Sequence, residues 1–311
     1  MAKDINVVAI EPEVADMLFK DAAREWLDSL DDVKETSMGA YKHILRKYII
    51  PKIGDQKIGD VMKFDFMKEL EAELNSEYSP ASVSNIFTVV RMIARSKLGD
   101  YSEIASMTNV LKGKKVVYMK KKEVKDLLLF FKKSDDDPRR MGVMLALYAG
   151  LTTSEICALK WKDIDLLQRS MHIRMSAQRT VKKGNSVSKV VVSELDDERE
   201  VPINRQLEDW IIRCKNDAQK EQYVLSNSES PVDPRTLNYY LTGVLKKAKI
   251  KSYTFSQIRD TFIVYALQNG AEIAALSSIL GISISRLEDA YGDFIITRFM
   301  DKLQAANTVF F

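Results

Sequence analysis

The stretch Leu147–Asp165, LYAGLTTSEICALKWKDID, governs how the rest of the chain is read. It joins a helix predicted over 138–149 to a short one over 154–160, and a further helix over 123–133 separates it from a lysine-rich segment at 112–122. Before it, residues 14–30 carry Val14, Met17, Leu18, Ala22, Trp26 and Leu30 at helical spacing. A second helix is expected from about Ser37 to Ile49, stopped by Pro51 and the turn Lys52-Ile53-Gly54-Asp55. A third covers about Lys63–Leu74. A fourth is opened by Ser79 as N-cap and Pro80 at the first helical position, and reaches about Ser96. After the stretch, Met171–Met175 and Glu200–Ile203 read as strands with an irregular polar segment between them. Helices are then expected over 206–217, 234–248, 256–269, 271–280 and 283–291, with another over Phe294–Ala305.

The pattern is mainly α with a small antiparallel β-sheet, in two domains. Residues 1–13 form an N-terminal extension and 14–111 a helical domain. Residues 112–122 form a basic linker and 123–311 a second domain, with a C-terminal helix from about 294. The 311 residues suffice for two domains of ordinary size, and 46% apolar content for packed cores. There is no run of 18 or more apolar residues, so no membrane span is expected. The first residues, MAKDINVVAIEPEVAD, do not read as a signal peptide. Cys157 and Cys214 have no metal-ligand neighbours and read as reduced thiols of a cytoplasmic protein, so neither metal nor cofactor is expected.

Net charge is only +3, but it is unevenly spread. Seven lysines fall between Lys112 and Lys125, among them Lys114, Lys115 and Lys120, and four more are Lys246, Lys247, Lys249 and Lys251. Such patches either grip phosphates or form a solvated face.

Four phrases, in order, resemble the tyrosine recombinases, or phage integrases. Tyr41–Asp55, YKHILRKYIIPKIGD, is similar to that family's core-binding domain, which the helix from Ser79 to Ala94 also fits. Leu147–Asp165 is similar to the box TGLRxSEhxxLxWxDhD. Phe255–Gly270, FSQIRDTFIVYALQNG, is similar to HxLRHTFAxxxhxxG, and Leu280–Tyr291, LGISISRLEDAY, to LGHxxhxxTxxYxH. The likeness spans roughly residues 14–292. It implies a helical core-binding domain followed by an integrase-type catalytic domain.

It also implies a chemistry. In the family a tyrosine attacks a DNA phosphate and displaces a 5′-oxygen, while two arginines hold the phosphate oxygens and a lysine and histidines handle protons. Here Thr152 falls at the first arginine, Arg259 at the second, Ser256 and Ile282 at the histidines, and Tyr291 at the nucleophile. Ser193 falls at the lysine, with Lys182, Lys183 or Lys189 as substitutes on a long turn. The chain has only two histidines, His43 and His172, and neither lies in the late boxes. Tyr291 reads either as a surviving nucleophile or as a packing aromatic, and Arg259 as binding a DNA phosphate or an internal carboxylate.

The resemblance further implies duplex DNA as partner, held by two helices that enter the major groove. The first offers Ser84, Asn85, Arg91 and Arg95, and the second Arg235, Thr236, Asn238 and Tyr239. Arg and Asn suit base edges and lysines suit phosphates. About 13 residues before the first helix leave no room for a separate arm-binding domain. The apolar tail Phe294, Ile295, Ile296, Phe299, Met300 and Leu303 suits self-association or packing on its own domain.

These replacements lead to the expectation of a DNA-binding protein without enzymatic activity. They are similar to those of the integrase-like repressors of SPβ-type phages. Such a protein would act on transcription in a bacterial cytoplasm and answer to a peptide or protein antagonist. The rival expectations are a divergent recombinase that uses Tyr291, Arg259 and a lysine, and a structural partner of an active recombinase.

Overall fold

The structure is a computed structural model that describes residues 12–31, 33, 35–99, 116–134, 137–181, 188–215 and 217–307. The chain divides into two compact units, Met1–Gly113 and Lys114–Phe311.

In the first unit the described residues form α1 (Pro12–Ala15), α2 (Phe19–Asp28), α3 (Glu35–Ile44), α4 (Ile50–Ile53), α5 (Ile58–Val61), α6 (Phe64–Glu77) and α7 (Pro80–Leu98). The helix expected over 14–30 is broken at Met17-Leu18. The reason is that backbone groups there are used elsewhere: Phe19 N donates to Gln56 O, and Ile58 N donates to Met17 O. Pro51 does not end the second helix as expected. A π-helical turn, Leu45–Ile49, widens the coil ahead of it, and Pro51 then sits in the first turn of α4, where a missing N–H costs little. Ser79 caps α7 as read, its hydroxyl accepting from Ser82 N. One apolar core, including Phe19, Trp26, Ile49, Met67, Phe87 and Ile93, holds these helices together.

The second unit contains α8 (Lys121–Lys133), α9 (Arg140–Ala149), α10 (Thr153–Ala158), α11 (Arg205–Lys215), α12 (Pro234–Lys247), α13 (Phe255–Gln268), α14 (Ile273–Leu280) and α15 (Ile284–Asn307). Its sheet is antiparallel, in the order β1 (Ile164–Asp165), β2 (Ser170–Val181), β3 (Ser188–Pro202). The segment read as irregular is therefore mostly strand. Residues from Ser176 to Val181 pair with residues from Ser193 to Ser188, and the register shifts between Ile173 and Met175. Alternation was hard to see because charged residues crowd the outer part of β3. At the shift, Ile173 faces Arg199 but Met175 faces Glu194, so Leu195–Glu198 form a bulge.

Helix α9 is buried along nearly its whole length and packs against α11 and α13. A second cluster joins α13, α14 and α15 through Ile263, Leu267, Leu276, Leu280, Leu287 and Tyr291. The extended residues before α8 are tied to α13: Met119 N donates to Thr261 Oγ1, and the Tyr265 hydroxyl donates to Met119 O. The last two expected helices follow one another within α15, separated as expected by a kink at Tyr291, where the backbone leaves helical geometry (φ −125°, ψ 15°).

Gly150 ends α9 with φ +66°, and an added Cβ would lie 2.6 Å from both Leu280 and Phe262. Gly150→Ala combines a left-handed backbone penalty with overpacking and should cost about 2–4 kcal/mol. Thermal unfolding of this variant should show a clearly lower Tm; an unchanged Tm would contradict the packing described.

Candidate active site and nucleic-acid interface

Two of the residues that the resemblance singles out, Arg259 and Ile282, meet the C-terminal end of α14. Thr152 is the N-cap of α10. Its hydroxyl accepts from Glu155 N, and its own N–H donates to Glu155 Oε2 at 2.8 Å. This reciprocal box satisfies two end-of-helix donors. It also leaves the other carboxylate oxygen of Glu155 facing Arg199, at 2.8 Å from Nη1. Both side chains are about nine-tenths buried, at 10% and 9% exposure.

Arg199 Nε donates to Ile279 O at 2.7 Å, and Arg259 Nη2 donates to Leu280 O, also at 2.7 Å. Two guanidinium groups thus take consecutive carbonyls where a helix end leaves carbonyls unpaired and the dipole favours cations. Arg199 Nη2 and Arg259 Nε are buried without a hydrogen-bond partner among the described residues. Burial lowers the pKa of Arg259, and the Glu155 charge opposes that; an arginine remains cationic throughout.

Burial pushes the Glu155 carboxyl upward in pKa. The Arg199 hydrogen bond and charge, the Thr152 N–H and the Arg259 charge outweigh that, and the net shift is downward.

Tyr291 stands at the kink of α15 and is 8% exposed. Its hydroxyl donates to Asp260 Oδ1 at 2.7 Å. Burial, then the Asp260 hydrogen bond and charge, push the phenol well above its usual pKa, and Arg259 pulls weakly the other way. Tyr291 and Asp260 line an open cleft of about 330 Å³ with Val116, Val117, Thr254 and Ser256. Ser256 therefore shares the cleft with Tyr291. Ile282 does not: it is half-buried in the apolar cluster of α13–α15, its backbone bonded to Ser277.

Ser193 lies inside β3 opposite Ser176, away from the hairpin turn. Lys182 and Lys183 fall outside the described residues, and Lys189 is exposed in β3 opposite Thr180. His43 is exposed on α3 and edge-on to Tyr48, while His172, on β2, pairs with Glu198. Cys157 and Cys214 are free and buried, and burial pushes the Cys157 thiol up to about 12, so it is an unreactive packing residue.

The two helices expected to face DNA are also described. On α7 the apolar face is buried, and Ser84, Thr88, Arg91 and Arg95 follow one stripe at spacings of four, three and four. Asn85 is exposed beside it, and Arg91 Nη2 donates to Thr88 Oγ1. On α12, Arg235, Thr236, Asn238 and Tyr239 are all exposed, opposite the buried Leu237, Leu241 and Val244. Arg235 Nε donates to the Tyr239 hydroxyl at 3.0 Å, and Asn238 Nδ2 donates to Pro234 O. Lys120 is exposed at the start of α8, whereas Lys114 and Lys115 lie outside the described residues. Of the apolar tail, Phe294 and Ile295 pack on their own unit, Phe294 against Tyr118. The side chains of Ile296, Phe299, Met300 and Leu303 lie outside the described set. No described helix is long and apolar enough to cross a membrane.

Three members of this arrangement escaped the sequence reading. Glu155 was readable as the third residue after a Thr N-cap. Asp260 was readable from its i,i+4 relation to Ser256 and its i,i+3 relation to Gln257. Arg199 lies just before the expected strand Glu200–Ile203, and its role depends on the β3 bulge.

The pattern of the phage integrase family matches residues 117–291, and that of the phage integrase N-terminal SAM-like domain matches residues 18–70. The chain belongs to the phage integrase family. It is 28% identical over 150 residues to the tyrosine recombinase XerC of Bacillus pumilus, a match covering 47% of this chain and 46% of that protein. A XerC-like tyrosine recombinase of Caldanaerobacter subterraneus is 26% identical over 189 residues, covering 54% and 48%. The matched stretches thus span about half the length of these relatives. By fold the chain resembles the Tn1549 transposon integrase solved with transposon right end DNA, with TM-score 0.74, 16% identity and coverage of 93% and 100%. It also resembles a lambda integrase dimer bound to a core site, with TM-score 0.64, 15% identity and coverage of 89% and 97%.

These matches correct the expectation of a protein that is no enzyme. The family pattern runs through Tyr291, and the curated relatives are named tyrosine recombinases. Replacements at single aligned positions do not remove the chain from a family of enzymes.

The buried pair yields a stability test. Removing one partner of a buried ion pair costs about 3–5 kcal/mol, because the other charge is left unpaired. Glu155→Gln should therefore lower Tm strongly. The folded carboxyl is held below its ordinary value of 4.5. Its contribution is thus complete above the unfolded pKa and is lost as pH falls through the depressed one. The gap in Tm between wild type and variant should be full at pH 7 and shrink in acid; a pH-independent gap would contradict this assignment.

Proposed function

We propose that the chain binds duplex DNA at specific sites and cuts and rejoins its strands through a covalent bond between Tyr291 and a DNA phosphate. The observation that carries this reading is the placement of the Tyr291 hydroxyl on the wall of an open cleft, hydrogen-bonded to a carboxylate and close enough to feel the charge of Arg259. A phenol at a backbone kink, beside a carboxylate and a buried cation, is suited to nucleophilic attack on phosphorus. The named relatives are tyrosine recombinases, in agreement with that chemistry.

Binding rests on the open faces of α7 and α12. Asn85, Arg95, Arg235 and Asn238 are the side chains suited to base edges, and Lys114, Lys115, Lys120 and Arg259 are suited to phosphates. Such binding places the protein's work at the DNA of a bacterial cytoplasm.

By the resemblance, Thr152 stands where a second phosphate-binding arginine is usual, and its hydroxyl is spent on a helix cap. A missing transition-state donor costs about 2.7–4 kcal/mol. Cleavage by this chain should therefore be slow, so that binding without cleavage is its more frequent event. Such binding suits a regulatory role at promoters alongside strand exchange.

A nicked suicide substrate tests the reading. Wild type should accumulate a covalent protein–DNA adduct that Tyr291→Phe abolishes without loss of DNA affinity. Binding that stays intact with no adduct from wild type over long incubation would overturn the cleavage reading. Asn238→Ala should relax preference at one base position by about 1–3 kcal/mol, whereas Lys120→Ala should weaken binding evenly and reduce its salt dependence. Equal losses on cognate and random DNA for Asn238→Ala would remove α12 as a reader of sequence. Genome-wide mapping of bound DNA, at promoters or at attachment-type sites, separates the regulatory and exchange roles.

A further inference from the structure

We infer that Asp260 is a catalytic residue of this chain: its carboxylate takes the proton from the Tyr291 hydroxyl as that oxygen attacks the DNA phosphate. The inference rests on the strand-cleavage reading above and deepens it.

The geometry is already that of a base and its proton. Asp260 Oδ1 lies 2.7 Å from the Tyr291 oxygen, within the range required of a general base. The two side chains share the cleft near Ser256, so the reacting oxygen is next to the space a phosphate would enter. Among the described residues, the surroundings of the phenol leave the task to Asp260. Helix α13 presents Asp260 and Arg259 to the phenol, and Arg259 is a donor only. Helix α14, IAALSSIL, has no charged residue at all. The extended segment contributes Val116 and Val117 to the cleft wall, and α15 contributes Ala290 beside Tyr291. The one histidine of the second unit, His172, is engaged by Glu198 on the sheet. Burial makes the phenol reluctant to ionise alone, so an adjacent acceptor is needed at neutral pH.

The step balances. The Tyr291 oxygen–phosphorus bond forms as the phosphorus–O5′ bond breaks. The phenolic proton passes to Asp260, and the departing 5′-oxygen takes a proton from water. On rejoining, the 5′-hydroxyl attacks the phosphotyrosine and gives its proton back to water, the bond from phosphorus to the Tyr291 oxygen breaks, and Asp260 returns its proton to the leaving phenolate.

The test is single-turnover adduct formation on the nicked substrate by the full chain. Asp260→Asn keeps the shape and a hydrogen-bond acceptor but removes the basic carboxylate. It should bind DNA with wild-type affinity and form adduct about 100-fold more slowly or worse. Its rate should climb roughly tenfold per pH unit above neutrality, because hydroxide must then take the proton; the wild-type profile should be flatter. Asp260→Glu should restore part of the rate and the flatter profile, which a purely structural role would not do. An Asp260→Asn protein that binds DNA and forms adduct at the wild-type rate, or faster, overturns the proposal and leaves strand cleavage by Tyr291 standing. A wild type that forms no adduct overturns both.

Discussion

Two guanidinium groups closing the C-terminal end of one short helix form the constraint around which the second unit is arranged. Arg199 comes from the sheet and Arg259 from α13, and they take the carbonyls of Ile279 and Leu280 in turn. Such carbonyls have no partner within their own helix, and the helix dipole adds to their attraction for cations. The price is two buried positive charges, which Glu155 offsets through its ion pair with Arg199 and its field at Arg259. Glu155 in turn is held by the N-cap of α10. Sheet, α10, α13 and α14 are therefore fixed to one another by a polar network inside an apolar shell. Gly281, at φ +63° with an added Cβ only 3.4 Å from Arg199, is what lets the chain turn away at that crowded point.

This network explains why most of the fold was legible and part of the site was not. Helices with one apolar face, such as α2 with Phe19, Ala22, Ala23 and Trp26 buried, announce themselves by spacing. Ser79-Pro80 announces a helix start by local chemistry alone. Tertiary pairing is not local. The break at Met17-Leu18 exists because distant residues 56–58 take the backbone bonds there, and no window of sequence contains both partners. The outer part of β3 carries Glu194, Asp196, Asp197, Glu198 and Glu200, so its strand character is masked by charge until β2 lies alongside. The role of Arg199 follows from the same bulge, which lay beyond reach for that reason.

Position by position, the resemblance located the neighbourhood of the site more reliably than its chemistry. It pointed to Thr152, Ser256, Arg259 and Tyr291, and all four lie around α13 and its contacts. It compared each with an expected residue type and took every difference as a deficit. The structure replaces that comparison with a different question, namely which groups now stand where charge and protons must be handled. Asp260 is the instructive case. It stands where the family phrase has a further histidine and drew no notice in the sequence, yet it is the group in contact with the Tyr291 oxygen.

A carboxylate bonded to a buried tyrosine has two opposite meanings, and energetics decide between them. As a ground-state acceptor it stabilises the neutral phenol and raises its pKa, which slows attack by free phenolate. As a partner in a concerted step it offers the proton a destination as the phosphorus bond forms, so no free phenolate is needed. The first effect is an equilibrium property of the empty cleft. The second acts only when a phosphate is present, and a phosphate alters the balance: its charge, held near Arg259, disfavours a second anion on Asp260 and so favours moving the proton there. The bond that keeps Tyr291 quiet without DNA is then the same bond that discharges its proton on DNA. The arrangement suits a protein that must hold its nucleophile unreactive until duplex is bound.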